Sequence, residues 1–453
     1  MQSSSASSGS PVMHRNLRRD YVEIARGKGV YLYDTDGRAY LDAVGGVAVN
    51  VIGHGVQEIG DAIAANVEQT SFAYSAAFTT PWQEQLAARL VSIAPYDDAS
   101  VFFTSGGSEA NETAIKLARQ YHVERGNSQK WKVVARWQSY HGNTLTTLAV
   151  SGRPSWRGPY DPYLMSAPHI VPPYCYRCPL GKTYPTCGVA CADDLERTIL
   201  LEGPETISAF IAEPVVGTSL AGVVPVPEYY AKIREICDRY DILFIADEVL
   251  TGYGRTGKAF SIDHWGVRPD ILTLGKGAGS GYVPLAACIA DASVVDVLRA
   301  GSGRFLHGFT YSGMPISCFV GVQVFDYVVK HSLFERSATN GAYLHEQLAR
   351  MAVQREHVGD IRGLGMLAGV EIVADRETRQ PFDKALGITD RVVAAAEQRG
   401  LLLREGTPDA NYGAGGDQIQ ISPPYVISTA EIDELVALLG ESIDVVLDGI
   451  TTQ

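Results

Sequence analysis

The sequence predicts an α/β protein: a large domain built on a mostly parallel central sheet, plus a smaller α+β domain. Three observations lead there. Short apolar runs alternate with helical stretches: "WKVVAR" (131–136), "ISAFIAEP" (207–214), "ILFIADEV" (242–249), "DILTLGK" (270–276) and "PLAACIA" (284–290). Between the second and third runs, "PEYYAKIREICDRYD" (227–241) reads as a helix, and strands separated by helices imply a doubly wound sheet. The pattern then changes after about residue 317, where a long helical stretch leads to "HVGDIRGLGMLAGVEIVA" (357–374), a two-strand pattern. Finally, 453 residues at 46% apolar and 20% charged make an ordinary globular composition, long enough for a large core and a second, smaller one.

Taken in order, the chain opens on the Ser-rich "MQSSSASSGSP" (1–11), read as a disordered tail. "GVYLYDTDGRAYLDAVGGVAV" (29–49) alternates around Asp36-Gly37 and predicts a hairpin. From about 57 to 125 the pattern is helical, clearest in "PWQEQLAARLVSIA" (81–94) and "SEANETAIKLARQYHVERG" (108–126). Near the end come a helix at about 387–400 and the strand "QIQISPP" (418–424). The expected division is a segment 12–60 joining the small domain, a large cofactor-binding domain 61–320, and a small C-terminal domain 321–453, with no internal repeats.

A net charge of −13 argues against nucleic acid and anionic membranes as partners. No uninterrupted apolar run is long enough to span a bilayer. The polar start lacks the apolar core of a secretory signal, and its first arginine is Arg15, so a cytoplasmic protein is expected. Seven cysteines, an odd number in a large chain, argue against a disulfide framework.

Three ionisable residues stand at three strand ends: Glu213 after "ISAFIA", Asp247 in "ILFIAD" and Lys276 after "DILTLG". Open parallel sheets bind ligands outside their carboxyl ends, so the three converge on one crevice. A desolvated lysine there has its charged form disfavoured and its amine made nucleophilic. An amine able to form a Schiff base, near a carboxylate that keeps a ring nitrogen protonated, is what pyridoxal phosphate requires. Taken singly, each residue equally fits a buried Lys–Asp ion pair between strands. A phosphate cradle is available in "FFTSGGSEANETAIKLAR" (102–119), where Ser105, Gly106, Gly107 and Ser108 precede a helix whose free N–H groups favour an anion. Alone it also reads as a Ser-capped helix, and Glu109 would have to point away from a phosphate. The spacing is neither a Walker A loop nor GxGxxG. In "WQSYHGNT" (137–144), Tyr140 or His141 could lie flat on an aromatic cofactor, or Tyr140 could simply pack under a surface turn.

Together, "TSGGSEANETAIKLAR", "SYHG", "IAEPVVG", "LFIADEVLTGYGRTG", "LTLGKGAGSGYVPLAA" and "HGFTYSGMP" resemble, in order, the class III aminotransferases, pyridoxal-phosphate enzymes of fold type I. The resemblance runs from about residue 12 to the end, and "YCYRCPLGKTYPTCGVACADDLE" (174–196) is similar to a bacterial branch acting on ω-amino acids and amines. It implies that Lys276 carries the cofactor and then shuttles protons, and that Asp247 holds the pyridine nitrogen protonated. Tyr140 and Val249 would cover the two ring faces, and Gly107 and Ser108 would bind the phosphate through their N–H groups. Thr310 would reach the phosphate of a neighbouring subunit, and Glu213 would help hold the site's hydrogen bonds and could pair with an arginine. A homodimer or tetramer with shared sites is implied. So is transfer of an amino group from an ω-amino acid or primary amine to a keto acid such as pyruvate, through pyridoxamine phosphate.

Leu250 stands where acetylornithine and GABA types carry Gln, and Met314 where His is frequent. Arg404, the only arginine of its loop, is the candidate for holding the acceptor carboxylate, a structural or solvent-facing role being an equal alternative. Arg255 is expected to hold the local fold. Val49, Phe72, Tyr74 and Trp156 are candidates for the substrate lining. Cys175, Cys178, Cys187 and Cys191 have a spacing that can hold structural zinc or simply pack as thiols; no metal is assigned. The competing readings are an aminomutase or decarboxylase on the same cofactor, and, more distantly, a non-catalytic zinc-binding scaffold.

Overall fold

The computed structural model describes residues 11–407, 411 and 415–451; residues 1–10 of the expected disordered tail lie outside them. The N-terminal strands are β1 (Ile24–Lys28), β2 (Tyr31–Asp34) and β3 (Ala39–Asp42). Next come β4 (Ala99–Thr104), β5 (Lys132–Arg136), β6 (His169–Ile170), β7 (Ile207–Ala212), β8 (Leu243–Asp247), β9 (Ile271–Leu274) and β10 (Ala286–Asp291). Last are β11 (Val358–Leu364), β12 (Leu367–Ile372), β13 (Leu401–Leu402), β14 (Arg404–Glu405) and β15 (Asp417–Ile421).

Seven strands form the central sheet in the order β4-β10-β9-β8-β7-β5-β6. β6, β5, β7, β8 and β9 run parallel, and β10 runs antiparallel to both β9 and β4. The five expected runs are all strands, and the helix Tyr229–Arg239 joins β7 to β8 as read. Alternate residues divide cleanly between two cores. Val134, Phe210, Phe244, Leu272 and Ile289 pack on one face, and Val133, Ile211, Ile245, Ile271 and Ala290 on the other. Burial on both faces explains why these strands read as continuous apolar runs.

β4 corrects the expectation of helix throughout 57–125, which holds only for Gln57–Asn66, Pro81–Ile93 and Gly107–Glu124. β4 is an edge strand whose first four residues are only partly buried, so it lacks the fully apolar signature of its neighbours. The expected hairpin forms, with Tyr33 opposite Ala39 across the turn at Asp36-Gly37. β13 then pairs in parallel with β3, bringing the N-terminal strands against the C-terminal part of the chain. There, β11-β12-β15-β14 form a sheet, and the helices Leu333–Val353, Ile388–Gln398 and Thr429–Thr451 pack around it. No helix among the described residues is long and apolar enough to cross a membrane.

Arg255, fully buried, ties these parts together. Its guanidinium donates to the carbonyls of Pro423 at 2.6 Å and Met366 at 3.1 Å, approaches that of Asn50, and sits 4.6 Å from the Tyr425 ring centre. The structural role expected for it is the one it has. Arg255→Ala strips donors from buried carbonyls and opens a void. We expect it to destabilise the fold by about 3 kcal/mol or more, measured as a lowered urea midpoint.

Candidate active site

The carboxyl ends of β7, β8 and β9 open on a cavity of about 480 Å³, within the usual range for a small-molecule site. Lys276, Asp247, Glu213, Tyr140, His141, Val249, Gly107, Ser108 and Arg404 all line it, so the residues read from separate motifs meet in one place. A larger cavity, about 610 Å³, lies between the N-terminal segment and the helix Ile388–Gln398; its ionisable lining is Arg19, Arg38, Tyr40, Asp390, Glu397 and Glu405, with no lysine or cysteine nucleophile among the described residues.

Asp247 ends β8 and is 3% exposed. Its Oδ2 accepts from Asn111 Nδ2 at 2.8 Å and lies 2.7 Å from His141 Nδ1. Its Oδ1 accepts from the Val249 N–H at 3.0 Å. Thr273 Oγ1 approaches Oδ1 at 3.4 Å, but a hydroxyl has one proton and Thr273 gives it to Asn111 Oδ1 at 2.7 Å. Oδ1 therefore keeps acceptor capacity for a ring N–H. Asn111, which also donates to the His141 carbonyl at 2.6 Å, was not found by sequence reasoning, and nor was Thr273. Both sit inside regular elements, where an amphipathic helix and an apolar strand gave no local signal for them.

Lys276 follows β9 after Gly275, in the left-handed backbone region at φ +41°, a strain of roughly 1–2 kcal/mol for a residue with a side chain. Burial pushes its ammonium down to about 8, while Asp247 and Glu213 pull the other way. Glu213 is 4% exposed. Its carboxylate accepts from the N–H groups of Gly217 at 3.1 Å and Tyr140 at 3.3 Å, and burial raises it above the ordinary carboxylate range. Among the described residues the arginine beside this acid, fully buried Arg136, donates to the Glu213 backbone carbonyl rather than to its carboxylate. β7 ends there, and its free carbonyl takes the guanidinium in place of the side chain.

The helix start at Gly107 and Ser108 is open, as a phosphate cradle requires. The first bond of this helix is Ala110 N–H to Gly106 C=O, so the N–H groups of Gly107, Ser108 and Glu109 precede the ladder. A Cβ at Gly107 would lie 2.5 Å from Val249 Cγ1, so only glycine lets Val249 sit there. Ser105 and Gly106 are outside the cavity lining, and the Ser105 N–H donates to the Glu109 carboxylate at 2.8 Å. Glu109 thus folds back on the loop as a cap. Tyr140 meets Trp156 edge to face at 5.5 Å, and both line the cavity. Of the other candidate lining residues, Val49 belongs to a small neighbouring cavity, and Phe72 and Tyr74 are 43% and 61% exposed, away from the lining. Thr310 is exposed and outside the cavity. Arg404, in β14, lines the cavity, and its buried Nε has no hydrogen-bond partner among the described residues. Arg153 lines it too and was not singled out in the sequence.

The four clustered cysteines are free thiols. Burial pushes Cys191 up to about 12, with the other three adding to the effect. Among the described residues no group of three or more His, Cys, Asp or Glu side chains is placed to hold a metal ion.

The acceptor capacity left on Asp247, the amine of Lys276, the unfilled N–H groups at the helix start and the Tyr140–Val249 slot fit pyridoxal phosphate. Residues 12–443 match the family described as class-III aminotransferases. The chain is 39% identical over 427 residues to the uncharacterized aminotransferase YodT of Bacillus subtilis, covering 94% of this chain and 96% of the relative. It is 36% identical to the putrescine–pyruvate aminotransferase of Pseudomonas aeruginosa, covering 93% and 90%. The solved structure of an (S)-enantioselective omega-transaminase from Thermomicrobium roseum superposes with a TM-score of 0.91 at 36% identity, covering 98% of this chain and 97% of that one.

Two outcomes are expected of this geometry. Gly107→Ala places a methyl against Val249 and weakens retention of pyridoxal phosphate about tenfold or more, read as the visible absorbance that survives gel filtration. In cofactor-free protein the neutral amine of Lys276 is the nucleophile. Its fraction grows as pH rises through about 8 and saturates above, so the initial rate of pyridoxal phosphate capture should rise about tenfold per pH unit below 8 and level off beyond it.

Proposed function

The chain belongs to the class III aminotransferases, a pyridoxal-phosphate-dependent family, and from that premise we propose that it moves an amino group from a primary amine or ω-amino acid to a keto acid. The observation that carries this reading is the placement of Lys276, buried at the end of β9, in one cavity with Asp247 and the open helix start. Pyridoxal phosphate, when bound, supplies a Schiff-base linkage and an electron sink for the carbon that loses its proton.

The chain's residues do the rest. Lys276 holds the cofactor at rest. Its amine, buried and brought down to about 8 in the cofactor-free chain, would accept and return a proton at the donor carbon. Asp247, braced by Asn111, His141 and the Val249 N–H, would accept the ring N–H and hold it protonated. Tyr140 and Val249, both in the lining, would cover the two ring faces, and the Gly107 and Ser108 N–H groups would bind the phosphate. Glu213 fixes the backbone on which Tyr140 sits. Arg404 receives the acceptor's carboxylate.

Val47, Leu250 and Trp156 give the lining an apolar part suited to a methylene or aryl group next to the reacting amine. The relatives named for putrescine–pyruvate and omega-transaminase activities support a donor of that class. In this reading Thr310, exposed in the protomer, completes the phosphate site of a second copy, and the enzyme is a homodimer or a tetramer of such dimers. A cytoplasmic location belongs to the same reading, in keeping with seven unpaired cysteines.

An amine-donor panel against pyruvate, scored by alanine formed, tests it. Stoichiometric alanine and keto product are expected from at least one primary amine or ω-amino acid. Carbon dioxide release or an isomerised amine without keto-acid consumption would instead identify a decarboxylase or aminomutase. Lys276→Ala should lower turnover by about 10²–10⁴-fold or more while leaving the oligomer unchanged on size exclusion. Retained transamination in that variant would remove Lys276 from the chemistry.

A further inference from the structure

We propose that Cys175, Cys178, Cys187 and Cys191 are a site of oxidative modification: a small-molecule disulfide closes the four thiols into two intramolecular disulfides, which pin the connection between β6 and the helix Ala190–Glu202. None of the four lines the cofactor cavity, and no step of the reaction uses them.

The connection runs over 171–189 without a helix or strand. A bare stretch of that length inside a compact fold is uncommon unless it carries a function. Its apolar anchorage is small. Pro172, Pro173, Tyr174 and Val189 are buried, and 180–186 is exposed throughout. One end is held by polar contacts to the C-terminal sheet. Tyr174 and Arg177 both donate to the carboxylate of Glu371, fully buried in β12, and Arg177 also donates to the Arg379 carbonyl at 2.7 Å. Cys175 and Cys178 are interleaved with these two residues. The chain then reverses, with the Gly181 N–H donating to the Cys178 carbonyl at 3.0 Å and the Cys187 N–H to that of Thr183 at 2.9 Å. The reversal brings Cys187, and Cys191 in the first turn of the helix, within electrostatic reach of the first pair.

Exposure separates these thiols from the other three. Cys175 is exposed and Cys178, Cys187 and Cys191 are half-buried, whereas Cys237, Cys288 and Cys318 are buried in separate elements. An oxidant in solution therefore meets one cluster. A metal ion needs three or more ligands converging on a point, an arrangement not found among the described residues, while a disulfide needs two sulfurs at a time. Burial raises Cys175 and takes Cys191 to about 12, with the neighbouring thiols adding to both. Thiols that hold their protons gain nothing from a stabilised thiolate in the reduced state, which favours the closed form once it is made.

Each closure balances as thiol–disulfide exchange. A cysteine thiolate, formed first at exposed Cys175, attacks oxidised glutathione and expels one glutathione thiol. A neighbouring cysteine then attacks the mixed disulfide and expels the second. Two S–H protons and two electrons leave the protein, one S–S bond forms, and one oxidised glutathione becomes two reduced molecules. In a reducing compartment the pairs are open at rest and close under oxidative load. Closed, they remove conformations from a connection that has little core of its own.

Wild-type holoenzyme is reduced, desalted and incubated with oxidised glutathione in mildly alkaline buffer, then denatured, alkylated and weighed intact. The expected mass is lower by four hydrogens, with no glutathione retained and alkylation at Cys237, Cys288 and Cys318 only. Trypsin cleavage after Lys182, at the exposed tip, slows about tenfold or more in the oxidised native protein, and dithiothreitol restores it. Cys178→Ser and Cys187→Ser each lose at most two hydrogens. Alkylation at all seven cysteines after oxidation, glutathione left on the protein, or one zinc ion per chain surviving desalting overturns the proposal. Two disulfides with an unchanged cleavage rate overturn the pinning of the connection. The wild-type mass and cleavage rate decide alone if the variants do not fold.

Discussion

The site depends on keeping one carboxylate, Asp247, ionised and oriented in a nearly dry place. Burying an unpaired charge costs several kcal/mol, and here the cost is offset by bonds from different parts of the chain. Asn111 comes from the helix Gly107–Glu124, His141 from the turn after β5, and the Val249 N–H from the turn after β8 itself. Thr273, on the adjacent strand β9, fixes the Asn111 amide from behind. Removing any one leaves a buried acceptor short of a donor, so strand order, helix placement and side-chain identity are coupled at this atom pair.

The same helix performs a second task one turn earlier. Its first residues, Gly107 and Ser108, offer free N–H groups at the positive end of the helix dipole. Asn111 lies four residues beyond Gly107, about 6 Å along the axis. One rigid element thus sets the spacing between the helix start where a phosphate would sit and the carboxylate that would hold the far end of the ring. The close approach that makes this possible is steric. Val249 fills the space in front of Gly107, so that position must be bare, and it packs tightly against the Cβ position of Gly275, 3.2 Å away. Beyond Gly275 the chain enters the left-handed turn that presents Lys276. Small residues around that lysine let a strand end, a helix start and a valine meet within van der Waals contact.

These arguments also explain which parts of the structure the sequence made legible. Glu213, Asp247 and Lys276 stood out because an ionisable residue ending an apolar run contradicts its surroundings, and parallel topology sends all such ends to one edge. β4 was hidden because an edge strand half open to solvent, set between two amphipathic helices, has no period of its own. The reversed direction of β10 was equally silent, since an apolar run carries no arrow. Asn111 and Thr273 look like ordinary helix and strand residues until the sheet places them beside Asp247. Arg153 was invisible for a related reason: it belongs to no motif of its own, and only the fold sets its guanidinium beside Tyr140 and Trp156 in the cavity lining.

The charges around Lys276 show how the fold tunes a base without dedicating a residue to the task. Burial alone would hold its amine neutral and leave it a poor proton carrier on the return step. Asp247 and Glu213 pull toward the protonated form, while Arg404 and Arg255 push against it, and the balance falls at about 8. Each of these groups already has another duty: Asp247 faces the ring site, Glu213 orders the Tyr140 backbone, and Arg255 clamps carbonyls of the C-terminal part of the chain. A proton shuttle near neutrality therefore follows from groups whose placement is fixed by packing. The lysine needs only to be the cation whose ionisation can still yield: the two arginines hold their protons at any pH the fold survives, and the lysine absorbs the field they set.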